Sequence, residues 1–144
     1  QSEKDGFIID EKIENLLSSD TKRSVAKSTG LATILLSDAF YRLDPDTVLL
    51  LGDRSETHAA ATTAMLMNIH IAHIHGGEIT EGAIDEKIRH SITKMSSLHF
   101  TSTDEYRNKV IQMGENPNSV FCVLPQLRPN PLGNFIFGEE CVYK

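Results

Sequence analysis

Two acids, a histidine and an arginine stand directly after apolar runs in this chain. Asp53 and Arg54 follow Val48–Leu51, and His75, Gly76, Gly77 and Glu78 follow Ile69–Ile74. Carboxylates and imidazoles pass protons to and from reacting atoms, and an arginine steadies developing negative charge. Asp85, Arg89 and His90 come soon after, in the segment DEKIRH. The set suits proton transfer beside an anionic group such as a phosphate.

The elements that must position these residues read as strand, charged turn, helix, strand, glycine turn, helix, strand over Val48–Ser102. An unbroken apolar run such as VLLL predicts a parallel strand buried on both faces. In an open α/β sheet ligands sit where the strands end, because helix N-termini point into that crevice. Two successive strands therefore bring acids and a base to one edge.

Taken in order, Phe7–Ile9 reads as a short strand and DEKIENLL as helical. Ser19 and Asp20 are candidate N-caps for a helix reaching Leu43, with Val25, Ala32, Leu35, Ala39 and Leu43 on its apolar side. Gly30 lies within it, at a cost of roughly 1 kcal/mol relative to alanine. Asp44-Pro45-Asp46 ends it. Thr57–Met67 is small and apolar, as in a helix held close to a sheet, and Asn68 closes it. Ile84, Ile88, Ile92 and Met95 mark a helical stripe whose first turn carries Asp85 and Glu86. Leu98–Ser102 is a third strand, Thr103 and Asp104 cap a helix stopped by Gly114, and Val120–Val123 is a fourth strand. Strict alternation predicts an α/β, Rossmann-like parallel sheet with flanking helices. Leu124–Lys144, with Pro125, Pro129 and Pro131, has no such periodicity.

A chain of 144 residues, 40% hydrophobic, can bury one ordinary core, which predicts a single domain. A net charge of -6 and a pI near 5.4 argue against nucleic acid and membrane surfaces as general partners. They leave room for one bound phosphate group. Cys122 and Cys141 lack metal-ligand spacing, so a reduced, cytoplasmic setting is expected. No apolar run approaches a membrane span, and no secretory segment opens the sequence. The chain opens on Gln1, as a piece of a longer protein would.

Bland readings stand beside the chemical one. Asp53–Arg54 could be a strand-end cap or ion pair. Asp85 and Arg89, one helical turn apart, could be a surface pair. Gly76 and Gly77 could serve only the turn. His73 and His75 alternate onto one strand face, which invites a metal, but His70 does not share that face and no acid has ligand spacing. No metal site is therefore expected. Met65, Met67 and Met95 read as core.

The blocks LLLGDRSE, HIAHIHGGEITEGAIDEKIRHSITKMSSLHFTST and EYRNKVIQMGENPNSVF resemble the hydrolysing UDP-N-acetylglucosamine 2-epimerases of bacterial sialic-acid and related nonulosonate synthesis. The resemblance covers roughly Asp5–Val123. It implies part of one half of a glycosyltransferase-B-type fold, two Rossmann-like domains with the nucleotide sugar between them. Residues 1–123 would be a partial N-terminal domain. Residues 124–144, where LPQLRPNP replaces the family's glycine-containing turn and linker, would be an atypical tail of a truncated or frame-shifted product. The implied reaction eliminates UDP from UDP-N-acetylglucosamine to a 2-acetamidoglucal, then adds water to give N-acetylmannosamine. It calls for no cofactor, and the full-length parent is expected to be a homo-oligomer. Asp53 and Asp85 match acids implicated in catalysis, and Glu78 is the acid of the glycine turn. His75 stands where several relatives carry glutamate, which leaves open which group is acid and which is base. Arg54, Gly76, Gly77, Arg89 and His90 would bind substrate. UDP-N,N′-diacetylbacillosamine is an alternative substrate, and a fragment without turnover is an alternative of another class.

Overall fold

A computed structural model describes residues 9–13, 21–79 and 84–123. Residues 7–8 of the expected Phe7–Ile9 strand, residues 14–17 of the DEKIENLL segment, the Ser19 and Asp20 caps and the tail from Leu124 lie outside the described residues. Residues 10–13, read as helical, form no helix. Helix α1 spans Lys22–Leu43, strand β1 Thr47–Leu51, α2 Ser55–Leu66 and β2 His70–Ile74. Helix α3 spans Asp85–Met95, β3 Leu98–Thr101, α4 Asp104–Gln112 and β4 Val120–Cys122. The four strands are parallel and lie in chain order. Right-handed crossovers in such an order carry α2, α3 and α4 onto the same face.

Local signals explain most boundaries. Thr21 caps α1 by accepting from the Ser24 amide at 3.2 Å. The helix continues through Gly30 and ends where Asp44 turns left-handed. Thr103 caps α4 through the Tyr106 amide, and Gly114 follows it with a φ of +98°. No described helix is long and apolar enough to cross a membrane.

Register lines up Leu50, His73, His99 and Val120 in one row across the sheet, and all four are buried. Phe40 of α1, Ala60, Ala61 and Ala64 of α2, Ile71 and Ile92 complete the core. The alanines let α2 lie close against α1 and the sheet, as the sequence predicts. Several expectations fail. Met65 of α2, expected in the core, is 46% exposed. Strand β1 is not buried on both faces: Leu49 and Leu51 are 63% and 62% exposed while Leu50 is buried. The described helices cover the face that carries Leu50, so alternate residues point to an open one. Val25 and Leu43 of α1 are also exposed. Twenty-two helical residues span about 33 Å, roughly twice the length of a five-residue strand, so the ends of α1 overhang the sheet.

Candidate active site at the strand ends

Both turns at the C-terminal edge use left-handed backbone. Gly52 leaves β1 with a φ of +79° and donates its N–H to Ile74 O at 3.2 Å. Asp53 follows, then Arg54, the N-cap of α2, whose side chain makes no capping bond. Strand β2 hands over to His75, which donates its N–H to Phe100 O at 2.9 Å and has a φ of +66°. Histidine rarely adopts this conformation, and such strain clusters at functional sites. At Gly77, φ +79°, a Cβ would lie 2.6 Å from Tyr106 O of α4. Only glycine fits there.

Arg89 ties the two turns together. Its guanidinium is buried and donates to the Asp53 carboxylate. It also donates to Glu78 Oε2 at 3.0 Å and to His75 O at 2.9 Å. Glu78 Oε1 accepts from Ser102 Oγ at 2.6 Å and faces His75 Nδ1 at 2.5 Å. Partial burial alone would raise the Glu78 carboxyl. The hydrogen bonds from Ser102 and His75, with the His75 and Arg89 charges, outweigh it and hold the group below its ordinary value. Glu78 is therefore a carboxylate that can only accept, which places the proton of a neutral His75 on Nδ1. Nε2 then carries the lone pair.

Of the residues singled out from sequence, Asp53, His75, Glu78 and Arg89 meet in this bonded group, with Gly76 and Gly77 buried beneath it. Asp85 lies in the first turn of α3, one turn before Arg89, and carries none of these bonds. The surface-pair reading of Asp85 and Arg89 is thus corrected. Arg89 points back under the strand ends because two carboxylates and a carbonyl converge there. Arg54 is exposed, and His90 Nε2 lies 3.7 Å from Glu86. His73 and His75 do not face one way: left-handed His75 breaks the period-two alternation after Ile74. Sequence reasoning missed Ser102, which follows β3 as Gly52 follows β1, and the buried Thr93, and it weighed the buried His73 only as a metal ligand. The end of the third strand was the available signal for Ser102.

A sequence model described as UDP-N-acetylglucosamine 2-epimerase matches residues 1–123. The chain is 50% identical over 115 residues to a GDP/UDP-N,N′-diacetylbacillosamine 2-epimerase (hydrolyzing) of Campylobacter jejuni, covering 80% of this chain and 30% of that protein. It is 44% identical over 119 residues to the polysialic acid biosynthesis protein P7 of Escherichia coli, covering 83% and 30%. Among solved structures it resembles the Methanocaldococcus jannaschii UDP-GlcNAc 2-epimerase in complex with UDP-GlcNAc and UDP, with a TM-score of 0.67 and 26% identity over 73% of this chain and 29% of that one. The chain spans about a third of the length of these relatives.

Proposed function

The chain belongs to the UDP-N-acetylglucosamine 2-epimerase family, and on that premise we propose that its strand ends form the N-terminal half of a hydrolysing 2-epimerase site acting on UDP-N-acetylglucosamine. The observation that carries the reading is the group in which Arg89 holds the Asp53 and Glu78 carboxylates beside His75.

The reaction breaks the C2–H bond of the sugar, forms a C1=C2 double bond and expels UDP with the C1–O electrons. Water then adds its oxygen to C1 while a proton returns to C2 from the other face. The C2 proton is not next to a carbonyl, so it needs a positioned base, an effect of about 10²–10⁴-fold. In this reading Glu78, with both oxygens engaged, fixes the His75 ring, and His75 Nε2 exchanges the proton. Asp53 is the second acid, oriented by Arg89. Asp85 and Arg54, outside the bonded group at the N-terminal turns of α3 and α2, meet the leaving diphosphate and its proton. Gly76, Gly77 and His90 shape the floor and flank.

Purified chain incubated with UDP-N-acetylglucosamine tests this by UDP release, with N-acetylmannosamine as the co-product. Release only from UDP-N,N′-diacetylbacillosamine would transfer the assignment to that substrate, which the Campylobacter relative's name favours. A second reading, a half-site without turnover, is favoured by the chain's spanning about a third of its relatives. It predicts sugar-nucleotide binding with no UDP formed. Neither binding nor release would overturn both.

A further inference from the structure

One buried titratable group has no part in that chemistry yet touches both turns and the helix that position it. His73 is fully buried in the sheet, one strand away from His99. Its Nε2 lies 3.0 Å from the carbonyl oxygen of Gly52, the residue before Asp53. Its Nδ1 lies 3.2 Å from Oγ1 of Thr93, one helical turn after Arg89. Gly76 closes over the pair: a Cβ there would sit 3.2 Å from Thr93 Oγ1 and 3.4 Å from His73 Nδ1. The first turn, the second turn and α3 therefore meet on a single ring.

We propose that His73 is a positioning residue for this site, a neutral strut with its proton on Nε2 that spaces the Gly52–Asp53 turn from α3 so that Asp53 meets Arg89. The proposal rests on the functional reading above for what the site does, but its geometry stands without it. A carbonyl oxygen can only accept, so the short Nε2 contact requires the ring proton on Nε2. Nδ1 is then an acceptor, and the Thr93 hydroxyl must donate to it. That hydroxyl also lies 3.0 Å from Arg89 O, and it has one proton to give. In the neutral ring it turns to His73; only a ring protonated at both nitrogens would send it to Arg89 O. Burial keeps the ring neutral, lowering its pKa to about 4, against a smaller opposing pull from the Gly52 carbonyl. Glutamine can reproduce both contacts, its amide donating and its oxygen accepting. Leucine fills the space and makes neither.

The test is nitrogen NMR of the full 144-residue chain, with His73→Gln, His73→Leu and Thr93→Val beside it. The strut requires a protonated Nε2 and an unprotonated Nδ1 at neutral pH, and slowly exchanging Arg89 guanidinium protons that persist in His73→Gln and vanish in His73→Leu. Thr93→Val, which removes only the donor to Nδ1, shifts the Nδ1 resonance and leaves Nε2 protonated. A protonated Nδ1 in the wild type, or Arg89 protons unchanged in folded His73→Leu, would overturn the proposal. If His73→Leu does not fold, the wild-type tautomer and the glutamine rescue decide alone. UDP release provides the second arm: His73→Leu lowers kcat by about 10²-fold at unchanged KM, as a misplacement of about 1 Å does, and His73→Gln recovers most of it. A wild-type chain that releases no UDP counts against the functional reading only, since the tautomer and the Arg89 signal decide the strut.

Discussion

At the scale of the residue, Arg89 decides what the acids can do. Two carboxylates drawn toward one point repel each other unless a cation lies between them. The buried guanidinium bonds to both and fixes their direction. Its charge adds to the Ser102 and His75 hydrogen bonds and the His75 charge that hold the Glu78 carboxyl below its ordinary value. Replacing it with methionine removes the cation and leaves the carboxylates behind. Arg89→Met should raise the Glu78 pKa in a carbon NMR titration and cost about 3 kcal/mol in urea unfolding, the low end for breaking a buried pair because both carboxylates keep some water. An unchanged titration would show that Glu78 owes its ionisation to other groups. The residue types at the strand ends were legible in the sequence, because a strand that stops at a glycine or an acid marks the edge. Arg89's partners were not, since spacing of four on a helix reports only the nearest neighbour and not what lies beneath. The left-handed His75 was equally hidden, because no sequence signal forces histidine into that region.

At the scale of the element, two glycines with the same φ separate backbone need from packing need. Gly52 has open space around its missing Cβ, whereas Gly77 lies against the Tyr106 carbonyl. Gly52→Ala should therefore lose only the left-handed term, about 1–2 kcal/mol. Gly77→Ala should lose more, because α4 must also move, and equal losses by thermal melting would contradict this. Strand β1 gives a second contrast. Leu50→Ala should cost about 2–4 kcal/mol and Leu49→Ala under about 1 kcal/mol, since only the first is buried. The run VLLL could not reveal this. Continuous apolarity says that both faces can be covered, while which face is covered depends on where the crossover helices fall. Helix and strand order, by contrast, followed directly from alternation of period and from caps such as Thr103.

At the scale of the whole molecule, the core is acid-sensitive by construction. His73 has a pKa of about 4 when folded and the ordinary value of 6.5 when unfolded. The unfolded chain thus binds more protons between those values, and stability rises with pH there. The contribution is complete above pH 6.5 and falls by roughly 3 kcal/mol as the pH drops to 4. His99, lowered chiefly by burial, acts in the same direction. Glu78, held below its ordinary value, adds a further loss as the pH falls through its folded value. Urea midpoints measured from pH 7.5 to 4 should fall in that window, and a flat profile would mean that His73 is not buried as described.

The same edge that concentrates these groups is where a sugar nucleotide must bind. The most direct measurement is a backbone and side-chain NMR titration of the 144-residue chain with UDP-N-acetylglucosamine. The account requires shifts gathered at Asp53, His75, Glu78 and Ser102, which lie in the turns that follow three successive strands. Shifts confined to the opposite end of the sheet, or none at millimolar sugar nucleotide, would contradict it.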